Sequence, residues 1–156
     1  MNSGFAKGLL LLSLLAMSLP AAASELVMTR IENTFPETMN MLQESIRKQG
    51  YTISRVQRVD VGLTKMGFKT AEYRIVFYGK PKEIRELSER YPDLVPYLPL
   101  KIVIFAENND TLLLSANPQL LDEFFPQYKL GKQIQSWSRD LNAIFSNTYH
   151  ASEGQN

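Results

Sequence analysis

The stretch Thr70-Ala-Glu-Tyr-Arg-Ile-Val-Phe-Tyr78, closed by Gly79-Lys80-Pro81, decides the fold. Ala71, Tyr73, Ile75 and Phe77 point to one side of an extended chain. Glu72, Arg74, Val76 and Tyr78 point to the other, a period of two that belongs to a β-strand. Gly79-Lys80-Pro81 breaks the strand and opens a short helix with Ile84, Leu87 and Tyr91 turned inward. Upstream, Val59–Lys69 reads as a connection containing Gly62 and Gly67. Before it, Tyr51–Arg58 is a strand whose alternation (Tyr51, Ile53) slips at Val56, which predicts a bulge near Ser54–Arg55.

The next segment toward the N-terminus is helical. Thr34 and Glu37 have capping-box spacing, and Pro36 sits in the first turn, where its missing N–H costs little. Phe35, Met39, Leu42 and Ile46 form one apolar stripe, Arg47 and Lys48 fall in the last turn, and Gly50 is the expected stop. Leu26–Glu32 precedes it as a first strand. Downstream, Pro92, Pro96 and Pro99 punctuate a loop. Leu100–Ala106 is apolar on both faces except for Lys101 and reads as a central strand. Asn108-Asn109-Asp110 turns the chain into a hairpin partner, Thr111–Ala116. Asn117-Pro118 begins a short helix that ends at Pro126. A last helix over Leu130–Tyr149 aligns Leu130, Ile134, Trp137, Leu141, Ile144 and Phe145.

The order is strand, helix, two strands, helix, two strands, helix. It predicts an α+β fold: one antiparallel-rich sheet with helices on one face, a ferredoxin-like split βαβ order, and an added C-terminal helix. With no internal repeat and no linker, one domain is expected over residues 24–150, followed by a polar, flexible tail at 151–156. Residues 1–23 have the three parts of a signal peptide. Lys7 is the only charge, an apolar run covers Gly8–Leu19, and Ala21-Ala22-Ala23 supplies small residues for cleavage. The run is too short to span about 30 Å of hydrocarbon. The expected address is therefore the periplasm or beyond, with no stable membrane span after cleavage.

Composition narrows the function classes. Removing residues 1–23 takes away Lys7 alone and leaves 16 basic against 16 acidic residues. Such a neutral chain argues against nucleic acid as a partner. The chain has no Cys. That closes thiol catalysis, thiolate metal sites and covalent haem attachment, and leaves the core to stabilise the domain without disulfides. The single His, His150, stands near the C-terminus, so a Ser–His pair is not expected. Met39 and Met41 lie about 200° apart around a helix and cannot converge on one soft metal; copper binding through Met66 and His150 is chemically allowed, but packing or surface placement is the expectation for these residues. No metal and no cofactor is assigned. Asp60 and Glu72 are the carboxylates worth locating.

Two candidate sites remain. Thr64-Lys65-Met66-Gly67-Phe68-Lys69 could meet Gly79-Lys80-Pro81 at one end of the sheet. Lys65, Lys69 and Lys80 would then form an anion-binding rim beside Tyr73 or Tyr78. Turn geometry alone also accounts for Gly67 and Gly79. The aromatic supply, from Phe124, Phe125 and Tyr128 to Tyr149, reads first as core or interface and second as a pocket lining. The stripe on the last helix is a candidate interface through Trp137, Leu141, Ile144 and Phe145, since six large apolar side chains are rarely left wet.

The ordered features resemble the bacterial domain-of-unknown-function 302 family over Leu26–Ala116. They are the capped helix from Thr34 to Gly50-Tyr51, the Gly67 loop, Tyr78-Gly79-Lys80-Pro81, the Leu98-Pro99-Leu100 segment, Lys101–Glu107 and the closing hairpin. The resemblance implies an α+β fold and a homodimer. It implies no reaction, since the family has no agreed catalytic set to transfer. The expectation is an exported, non-enzymatic, homodimeric binding or interaction module that meets a protein partner or a small-molecule ligand. The alternative is a ligand carrier or enzyme with a pocket between sheet and helices.

Overall fold

The computed structural model describes residues 25–154; the expected signal peptide, residues 1–23, lies outside them. Five strands, β1 (Leu26–Ile31), β2 (Thr52–Arg58), β3 (Tyr73–Gly79), β4 (Leu100–Glu107) and β5 (Asp110–Ala116), form one sheet. Its order is β1-β5-β4-β3-β2, and every neighbouring pair is antiparallel. β2 to β5 form a continuous meander, with β1 added at the far side. β1 and β2 therefore run parallel at opposite edges, joined by helix α1 (Phe35–Lys48). The α+β class and the antiparallel sheet match the expectation. The split βαβ unit is wider than the ferredoxin-like pattern, because three strands separate β1 from β2. The predicted bulge is present as a register shift between Ile53 and Arg55.

α1 and the long α5 (Gly131–Glu153) pack against each other and against the sheet. The core between these layers contains Ile31, Leu42, Ile46, Val76, Tyr78, Ile102, Ile104, Leu113, Ile134, Trp137, Leu141 and Ile144, each at most 2% exposed. Burying a side chain of this size contributes about 1.5–3 kcal/mol, so a domain without disulfides has its stability here. Gly50 takes φ +78° just after α1, a conformation that L side chains avoid, and turns the chain into β2.

Three local expectations are corrected. Val59–Lys65 forms a short helix, α2, inside what read as a connection. Its position is set by tertiary contact, because Asp60 pairs with Arg74 of β3. The Thr34 hydroxyl bonds the Glu37 carboxylate rather than a helix N–H, and the Thr34 N–H goes to Asn33 Oδ1, so neither bond of the capping box is formed. α5 continues to Glu153 with Ser152 buried, so the helix runs through the first three residues of the expected tail.

Candidate functional site

Tyr78-Gly79-Lys80-Pro81 brings three elements together at one end of the sheet. Strand alternation turns Tyr78 toward the helices, where it is 2% exposed and meets the Tyr51 ring edge-on at 5.2 Å. Tyr51 follows Gly50 and donates its phenol hydrogen to Asp140 Oδ2 of α5 at 2.7 Å. Lys80 Nζ lies 3.4 Å from the same carboxylate oxygen and 4.4 Å from the Tyr51 ring centre. Pro81 starts α3 (Pro81–Arg90), and Glu83 on its first turn accepts a 2.8 Å hydrogen bond from Trp137 Nε1. Burial, and after it the bond to Asp140, raises the Tyr51 phenol well above its ordinary range. Burial and the Asp140 charge raise Tyr78 in the same direction. Both rings therefore stay protonated near neutral pH, Tyr51 as a donor and Tyr78 as a packing surface, and Asp140 joins β3, α1 and α5.

The Gly67 loop is elsewhere. Lys65 and Lys69 precede β3 whereas Lys80 follows it, and the seven residues of β3 span about 20 Å. The three lysines therefore do not form one rim. Tyr73 and Tyr78 are also divided, on opposite faces of the sheet, with Tyr73 packed edge-on against Phe105 at 5.9 Å. A pocket between sheet and helices lined by Tyr73, Tyr78 and Phe105 is thereby ruled out. Trp137, Leu141, Ile144 and Phe145 are 0–3% exposed inside this one chain. They are core, and the expected interface on α5 is corrected: the sheet and α1 already cover this stripe.

Asp60 and Glu72 do meet, around Arg74. The guanidinium pairs with Asp60, lies 3.8 Å from Glu72 and rests 5.5 Å from the centre of the Phe35 ring. Desolvation acts to raise the Asp60 carboxyl, but the Arg74 hydrogen bond and the Val61 N–H outweigh it and hold the group below its ordinary range. An ionised acid bound to an arginine is a lock between α2 and β3. Met41 is buried, Met66 is exposed in the loop, and His150 bonds Glu153. Among the described residues no group of three or more His, Cys, Asp or Glu could hold a metal ion, and no helix is long and apolar enough to cross a membrane.

The feature that sequence reasoning missed is the other face of the sheet. Pairing register aligns Met28, Leu114, Val103, Ile75 and Gln57 in one row, and Arg30, Leu112, Phe105 and Tyr73 in the next. A third row carries Lys101, Phe77 and Arg55. The centre is apolar and the rim is polar. The signal was present in Tyr73, Ile75 and Phe77, whose side of β3 is as apolar as the side facing the helices.

Comparison with known proteins agrees with this architecture. A crystal structure of an uncharacterized conserved DUF302 protein from Bacillus stearothermophilus superposes with a TM-score of 0.73 at 20% identity, covering 81% of this chain and 99% of that one. No curated protein matches. The family model for the domain of unknown function DUF302 matches residues 27–148. The chain belongs to the DUF302 family.

Proposed function

We propose that this protein is an exported, non-enzymatic binding module that works as a homodimer in the periplasm or beyond. The observation that carries the reading is the helix-free face of the sheet. Met28 there is 60% exposed, and Leu114, Val103, Ile75, Leu112, Phe105 and Tyr73 are half-buried. Four inter-strand gaps of about 4.8 Å, times strands of about 20 Å, make a flat footprint on the order of 400 Å². A face of that size with an apolar centre is where soluble proteins meet partners. The apolar centre and the rim of Arg30, Arg55, Gln57 and Lys101 have the anatomy of an interface. A second copy is the partner that brings the same apolar surface.

The leader-like residues 1–23 support export, and removal of that segment is checked by the mass of the protein recovered from the periplasm. Sedimentation velocity checks assembly. The wild type is expected to sediment as a dimer. Ile75→Glu, and separately Met28→Glu at the exposed end of the row, are expected to shift it to monomer with the far-UV spectrum retained. A monomeric wild type at all concentrations contradicts the reading.

A further inference from the structure

At the end of the sheet where β3 and β5 finish and β1 and β4 begin, the chain forms a second, different feature. A groove of about 390 Å³ opens there, with walls of Leu26, Tyr97, Leu100, Val103, Leu114 and Phe124. Tyr97 comes from the proline-punctuated segment before β4, and Phe124 from α4 (Leu120–Phe124). Their rings approach to 6.3 Å between centroids and roof the sheet end. Leu26, Tyr97 and Phe124 are 49%, 40% and 59% exposed. Three large apolar side chains gathered at one concave place is the lining expected of a ligand site, and the volume lies within the range of small-molecule pockets.

Among the described residues that line the groove, Lys101 is the single charged one. It stands on β4 between Leu100 and Ile102, and its ammonium reaches toward the Pro96 carbonyl at 3.5 Å, a contact at the limit of a hydrogen bond. Ser115, the neighbouring hydroxyl, already donates to the Lys101 carbonyl at 2.9 Å. Its described residues thus present an apolar trough with one cation and no carboxylate. Its chemical complement is an unbranched apolar chain ending in an anion. A bare hydrocarbon would leave the ammonium unused, and a cationic amphiphile would be repelled by it.

We propose that this groove binds a free medium-chain fatty acid, the acyl chain along Leu26, Leu114 and Phe124 and the carboxylate on Lys101 Nζ. The site goes beyond homodimerisation and does not require it. Val103, Leu114 and Lys101 belong to both surfaces, whereas Phe124 and Tyr97 lie outside the sheet face and can be varied without touching it.

The test is isothermal titration of decanoate into the purified protein after lipid has been stripped on a hydrophobic resin. A saturable one-site isotherm is expected. Lys101→Met, which keeps the side-chain stem, should weaken binding by about tenfold, the loss of one charge-assisted contact. Phe124→Ser, at an exposed position that does not endanger the fold, should weaken it by a similar factor. Decanol should bind the wild type about as weakly as decanoate binds Lys101→Met, and decyltrimethylammonium should bind more weakly still. The absence of saturable decanoate binding overturns the proposal, and so does an unchanged affinity in Lys101→Met. Parallel sedimentation of Ile75→Glu separates the two readings: a monomer that still binds decanoate leaves this site standing.

Discussion

Tyr51 and Asp140, 89 residues apart in sequence, share a 2.7 Å hydrogen bond that ties the end of α1 to the middle of α5. Lys80 shares the same carboxylate at 3.4 Å but is itself 37% exposed. The burial gradient ranks the three side chains. Tyr51→Phe removes a buried donor and is expected to lower stability by about 1–2 kcal/mol. Asp140→Ala strands both partners and should cost more, about 2–3 kcal/mol. Lys80→Met should cost under about 1 kcal/mol, because water competes for its ammonium. Urea unfolding of the three variants gives the order, and equal losses would contradict it.

The same site sets an alkaline limit. Tyr51 and Tyr78 have phenol ionisations raised in the folded chain, chiefly by burial. In the unfolded chain they ionise near the ordinary value of about 10. A raised folded value contributes stability that is fully present below about pH 10 and is lost as pH climbs toward the folded value. The melting temperature should therefore fall as pH rises above about 10. Absorbance at 295 nm should show two phenols that ionise only with unfolding. Smooth titration of every tyrosine before unfolding would contradict this.

Gly79 sits against the end of the Ile84 side chain. A Cβ placed there would stand 2.1 Å from Ile84 Cδ1 and 3.1 Å from Ile84 Cγ1, so a side chain forces Ile84 to move. Gly79→Ala should cost about 1–3 kcal/mol through overpacking. Ile84→Val removes the nearer atom. The double variant is expected to be more stable than the sum of the single losses predicts, a coupling readable from denaturation midpoints. Strict additivity would show that the contact does not matter.

Thr38 lies on α1 with no exposed surface, and its Oγ1 has no hydrogen-bond partner. Thr38→Val keeps the shape and removes the orphaned hydroxyl. It should raise stability by about 1 kcal/mol, since an unpaired buried hydroxyl carries its full desolvation penalty. A loss of stability in thermal unfolding would mean that the hydroxyl is satisfied in solution.

Much of the fold was legible because its elements are locally consistent. The stripe Phe35, Leu42, Ile46 and the glycine stop at Gly50 specify α1 without tertiary help. The apolar run from Leu100 marks the central strand, which is the middle strand of the observed order. Leu130 to Phe145 form one stripe and all of it is buried. What local patterns did not encode was which strands become neighbours. Lys65, Lys69 and Lys80 looked like one rim because they flank a single strand, and the strand's own length separates them. The stripe on α5 looked like surplus surface because the reading did not place α1 beside it. α2 was missed because Gly62 and two valines disfavour a helix locally, while the Asp60–Arg74 pair supplies what the local sequence lacks.

The most direct test of the central claim, assembly through the helix-free sheet face, uses the absence of cysteine from the chain. One cysteine is introduced at Val103, in the middle row of the middle strand, and a control cysteine at Lys82, which is 91% exposed on α3. Both proteins are oxidised gently at low concentration and run on a non-reducing gel. Face-to-face pairing places Val103 near its symmetry mate, so the account predicts a disulfide-linked dimer for Val103→Cys and monomer for Lys82→Cys. A monomer for Val103→Cys together with a crosslink at Lys82→Cys would contradict it.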